Sequence, residues 1–281
     1  MGLITITWIC FFTGSVMVYF KYTMRAGWAV LLVTYGLALA AGLIDILGLE
    51  WLLLTAGALY AAFRLKGWQQ AIAHMVFIAL SILLFMHLLP GFHNWRVFDK
   101  IRFTPDAAPF TMYLNLDKPF IGFLLYSCFV VKWYAHQPDA KTLLKAIVLP
   151  LLVISTLCLG TALLLHFIKW EPKWPPLAWL WMINNLLLVA VCEEALFRGY
   201  LQGILGPRLF KGKSPYIPLF ITALLFGLAH TTGGPALMLL AFIAGSGYGW
   251  AFYKGGMLAA ILTHFIFNLL HFLLFTYPML A

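Results

Sequence analysis

Glu193 and Glu194 stand side by side at the end of the apolar run LLLVAVC, and Arg198 follows within about one helical turn. A carboxylate inside a bilayer costs roughly 2.5–3.5 kcal/mol on insertion scales, and more on an isolated helix. Two of them in one apolar segment imply that at least one is used. On an ideal helix Glu194 and Arg198 lie about 40° apart on one face, with the acid ahead of the base in the order that favours an ion pair. Glu193 projects about 100° away from Glu194, toward the face of Leu196 and Phe197. The spacing divides the roles: Glu194 is the structural partner of Arg198, and Glu193 is the carboxylate whose presence calls for chemistry.

Two further apolar segments carry polar groups. LLFGLAH sets Phe226 and His230 four residues apart, on one helical face. LTHFIFNLLHFLL sets His264, Asn268 and His271 at i, i+4 and i+7, a polar stripe on an otherwise apolar helix. Such a stripe in a spanning helix faces the bundle interior or a cavity. Taken singly, each motif has a plainer reading: an interfacial charge patch, a structural histidine at a helix end, or hydrogen bonding between helices. Together they supply a glutamate, a histidine and a histidine–asparagine pair on three helices. That inventory suits water-dependent cleavage of an amide. A glutamate acts as general base, a histidine passes the water proton to the leaving amine, and His and Asn donors hold the tetrahedral oxyanion. One such donor is worth roughly 2.7–4 kcal/mol.

The elements that must position these residues are membrane helices. Of 281 residues 63% are hydrophobic and only 10% charged, against about 25% charged in a soluble domain; the mean hydropathy is +0.94. Ten segments approach the roughly 20 apolar residues of a span: 2–20, 26–44, 49–63, 71–89, 119–135, 143–168, 177–200, 215–230, 236–253 and 257–276. The third is short and reads as a buried or partly re-entrant helix. The fold class is an all-α, polytopic transmembrane bundle of about eight to ten spans. Residues 90–118 read as the longest polar loop, and WEPKWPP at 170–176 as the start of the glutamate-bearing helix. The cysteines Cys10, Cys128, Cys158 and Cys192 lack metal-type spacing and read as buried, inert thiols. The net charge of +9 does not point to nucleic acid, because the chain has no basic run and no nucleic-acid motif. If all ten segments span, 12 of the 18 cations fall on one side, which the positive-inside rule assigns to the cytoplasm. His230, 15 residues beyond Pro215, then sits too far outward for the depth of Glu193 and His264.

The order EExxxR, FxxxH, HxxxN over roughly 143–276 resembles the CPBP family of membrane proteases, the CAAX-processing and bacteriocin-processing (ABI) proteins that include the type II CAAX prenyl endopeptidase. The resemblance implies that Glu193 and His230 activate the water, that His264 and Asn268 form the oxyanion site, and that Glu194 and Arg198 support them. It implies a protein or peptide substrate, prenylated or otherwise membrane-anchored; the metal-free glutamate mechanism, with no cofactor, is the favoured reading. Residues 141–281 form the protease-like domain, and residues 1–140 a multi-pass region without a recognised family. The expected location is the plasma membrane, with the site toward the cytoplasm. A zinc protease using Glu193, His230 and His264 is the mechanistic alternative. A proton-coupled transporter and a non-catalytic immunity protein are the alternatives of other classes.

Overall fold

The structure is a computed structural model that describes residues 2–135 and 138–281. The chain forms two compact units. One holds the residues up to Val97 together with Tyr113–Val130. The other holds Phe98–Met112 together with the residues from Val131 onward.

The first unit consists of α1 (Leu3–Val18), α2 (Met24–Ala40), α3 (Ile46–Arg64), α4 (Gly67–Phe85) and most of α5 (Lys118–Tyr134). Aromatic contacts close its interior, with the rings of Phe11 and Phe123 at 5.7 Å and those of Tyr19 and Tyr126 at 4.8 Å. The third segment is not short. Asp45 caps α3 by accepting from the Gly48 N–H, so the helix starts three residues before the expected boundary and reaches 19 residues. That is long and apolar enough to cross a membrane. The cysteine expectation is also corrected: Cys158 and Cys192 are buried, but Cys10 is half-buried and Cys128 is exposed.

Residues 90–118 form more than a loop. β1 (Trp95–Ile101) and β2 (Phe110–Leu114) pair as a two-stranded hairpin. Phe98 and Met112 are its buried positions within the second unit.

The second unit is built on α6 (Ala140–Leu164), α7 (Ala178–Leu209), α8 (Tyr216–Leu228) and a helical run from Gly234 to Leu274. Gly256 breaks that run, with φ 74° and ψ −164°, a conformation open to glycine and costly for other residues. The chain reverses there into α9 (234–255) and α10 (257–274). The rings of Tyr248 and His264, equidistant from Gly256 in sequence, stack at 4.4 Å as an antiparallel hairpin requires.

α9 is the axis of this unit, and its glycines set how closely its neighbours approach. A Cβ at Gly247 would lie 2.2 Å from Ile154 of α6, and one at Gly255 would lie 2.6 Å from Ala146, so α6 runs antiparallel to α9. Arg198 and Gln202 of α7 donate to the Gly245 and Gly249 carbonyls at 2.9 and 3.0 Å, so α7 runs parallel. Gly227 of α8 packs on Met238 and Phe242, antiparallel again. Small residues that let backbones approach are the usual device of membrane helix packing.

Among the described residues, five helices are long and apolar enough to span: α3, α4, α6, α7 and the Gly256-broken run, taken as one. α8 has 13 residues, about 20 Å of rise, which is less than the roughly 30 Å hydrocarbon core. That shortness bears on the depth conflict raised by the sequence. α8 stops at Leu228, and His230 sits in the turn that returns into α9.

Candidate active site

α7 brings the charges in. It is continuous from Ala178 to Leu209, but Asn185–Ala190 and Ala195–Leu205 are π-helical. Wider turns of this kind recur at functional sites and re-aim side chains relative to an ideal helix. Glu194 and Arg198 are both fully buried, with Nε and Oε2 3.2 Å apart. The other Glu194 oxygen lies 2.8 Å from Nδ1 of His264. A carboxylate only accepts, so that nitrogen carries the proton. Glu194 therefore bridges Arg198 and His264, one partner more than helical spacing revealed.

Arg198 is held by more than one acid. Its guanidinium donates to Gly245 and lies 4.6 Å from the Phe226 ring and 5.4 Å from the Tyr248 ring. Aromatic faces stabilise a desolvated cation by about 2 kcal/mol. This is how a cation sits inside the bundle and not in the interfacial charge patch that was the plainer alternative.

Glu193 is 12% exposed, with Oε2 3.9 Å from Nε2 of His264. The two glutamates, expected to face about 100° apart, thus flank one imidazole, each toward a different ring nitrogen. Tyr248 stacks on the face of that imidazole, its ring 8° from parallel.

The cleft beside this cluster has a volume of about 280 Å³. Glu193, His230, His264 and Asn268 all line it, as does His271. Glu194 and Arg198 lie behind it, in contact with His264 and Phe226. Nδ1 of His230 donates to the Phe226 carbonyl at 2.8 Å, which leaves Nε2 as the acceptor in the neutral ring. The amide of Asn268 donates to Asn185 at 3.3 Å. The remaining walls are mostly apolar, including Leu159, Phe167, Leu240 and Met279. Among the described residues, no three His, Cys, Asp or Glu side chains converge as the ligands of one metal ion.

Three participants escaped the sequence reading. Tyr248 packs against both His264 and Arg198. Asn185 orients Asn268. The Gly245 carbonyl receives Arg198. The motif AGSGYG at 244–249, three glycines alternating through a membrane helix, was the available signal for a close helix contact. The adjacent polar pair Asn184–Asn185 in an apolar helix was the signal for a partner across the bundle.

A carboxylate–histidine–asparagine cluster, buried among apolar helices and opening on a cleft, defines an integral multi-pass membrane protein with hydrolase-like equipment. Residues 173–270, which span α7 through most of α10 and include every residue of the cluster, match the family model described as Type II CAAX prenyl endopeptidase Rce1-like. This match is consistent with the CPBP family of membrane proteases. No match was found among curated proteins or solved structures.

Proposed function

We propose that the protein is an intramembrane endopeptidase in which Glu193 activates water against a peptide bond held in the cleft. The observation that carries this reading is the common lining: Glu193 of α7, His230 of the turn after α8, and His264 and Asn268 of α10 border one cavity. Water bound between Glu193 and Nε2 of His230 loses a proton to Glu193 as its oxygen attacks the carbonyl carbon. Nε2 of His230 is an acceptor in the neutral ring, which suits it to orient that water. A protonated His264 donates Nδ1–H to Glu194 and Nε2–H into the cleft, where with the Asn268 amide it holds the oxyanion. The proton taken by Glu193 then passes to the amine nitrogen as the C–N bond breaks.

The substrate is a membrane-associated protein or peptide, prenylated in the CAAX-type case, since the cleft walls are apolar. The end of the second unit that carries Gly256 faces the cytoplasm of the plasma membrane, because Lys141, Lys145, Arg208, Lys211, Lys213 and Lys254 gather there.

Glu193→Gln is expected to insert and purify at wild-type yield, with cleavage of a prenylated CAAX peptide abolished. Full activity in that variant removes the glutamate mechanism. Cleavage by the wild type is expected to persist in a strong chelator, and loss of activity restored by zinc assigns the reaction to a metal instead.

A further inference from the structure

A second cavity, of about 300 Å³, lies at the Gly256 end of the second unit. It is enclosed by the last turns of α7, the connection to α8 and the end of α9. Pro207, Phe210, Pro218, Phe252 and Tyr253 give it apolar walls, and Gln202 and Ser214 add polar groups to the lining. Cations interleave with these residues along the chain. Arg208 follows Pro207, Lys211 and Lys213 flank Gly212, and Lys254 follows Tyr253. All four are exposed. No Asp or Glu occurs in the sequence after Glu194, so no acid of these segments opposes them. Leu209, Tyr216 and Phe220 beside the cavity are large, apolar and exposed, which fits a hydrocarbon-facing flank. Tyr216 and Tyr253 meet at 5.7 Å, the aromatic signature of a headgroup boundary.

We propose that this cavity is a binding site for one anionic phospholipid. An acyl chain occupies the Pro- and Phe-lined interior, and the phosphate is held by Lys211, Lys213 and Lys254. The apolar interior and its exposed apolar flank are what a soluble anion would not use, so the lipid is the source of the phosphate. A basic pocket among membrane helices selects anionic headgroups.

The test exchanges the full-length protein from vesicles of equal parts phosphatidylcholine and phosphatidylglycerol. Retained lipid is then counted by mass spectrometry after purification in detergent. The wild type is expected to retain phosphatidylglycerol in preference to phosphatidylcholine. The variant Lys211→Gln/Lys213→Gln/Lys254→Gln is expected to retain it at least about tenfold more weakly, and the corresponding Lys→Arg variant as the wild type does. Ser214→Trp fills the cavity with the charges intact and is expected to lose the lipid as well. Lys141→Gln/Lys145→Gln, at the same end but outside the cavity, is expected to keep it. Equal retention of both lipids overturns the proposal, as does unchanged retention in the triple Gln variant. Displacement by inorganic phosphate or an equal loss in the Lys141/Lys145 variant also overturns it, the first by showing a free-anion site and the second a diffuse surface charge.

Discussion

Removing Arg198 is a different act from removing any residue that lines the cleft. The guanidinium and Glu194 are both completely buried, and truncating one partner of such a pair typically costs about 3–5 kcal/mol because the other charge is stranded. Arg198→Ala is therefore expected to reduce the yield of folded protein and to lower its thermal midpoint in detergent. Asn268 is half-buried and hydrogen-bonds through a single 3.3 Å contact to Asn185. Asn268→Ala is expected to purify normally and to lose roughly 10²–10³ in kcat, the usual consequence of deleting one oxyanion donor. Steady-state kinetics with a peptide substrate, set beside a melting curve, separates the two outcomes. A stable, inactive Arg198→Ala variant would move Arg198 from support to chemistry.

At the scale of elements, the helices and the i, i+4 pairs were legible because membrane composition and helical period are strong local signals. Glu194–Arg198, Phe226–His230 and the His264–Asn268 stripe all came from spacing. What was illegible was set by long-range geometry. The imidazole of His264 reaches both glutamates because α10 doubles back on α9 at Gly256. A single glycine beside another in KGGM gives no sign that the chain reverses there. The π-helical turns of α7 depend on tertiary packing and alter the angles that an ideal helix assigns. The hairpin of residues 95–114 was hidden by its short strands and by Pro105 and Pro109 in the connection. The glycine spacing 245, 247, 249 was visible without its meaning. It lets α9 press against α6 and α7 so that the Gly245 carbonyl can receive Arg198. Gly247→Val is expected to lower the thermal midpoint, because overpacking against Ile154 costs about 1–3 kcal/mol. Ile154→Ala added to it is expected to recover part of the loss, since the side chain in the way is then shortened. A double variant no more stable than Gly247→Val would place the strain elsewhere.

Across the second unit as a whole, the two ends differ in kind. The Gly256 end is cationic, whereas the other is a mixed cluster that ties separate chain segments together. Lys169 pairs with Asp106 of the β-hairpin connection and lies 3.4 Å from Glu171. Thr104 and Thr276 donate to one oxygen of Glu171 at 2.7 and 2.9 Å. Backbone bonds extend the seam, from Ala108 to Met279 and from Leu280 to Phe167. Phe167 and Met279 both line the cleft beside Glu193 and His264, so this cluster fixes part of its wall. Burial works to raise the Glu171 pKa, but the Thr104 and Thr276 hydrogen bonds and the Lys169 charge outweigh it and hold the carboxyl below its ordinary value of 4.5. The stability this gives is present above the unfolded value and is lost as pH falls through the lower folded one. Acidification below about pH 4.5 is thus expected to loosen the junction of the hairpin connection with residues 275–281. Hydrogen exchange at the amides of Ala108 and Leu280 reads that loosening directly. In Glu171→Gln the same amides are expected to exchange faster already at neutral pH, and the acid-dependent step in that range is expected to shrink. An unchanged acid step in the Gln variant would assign it to another carboxylate, Asp106 being the neighbour to substitute next.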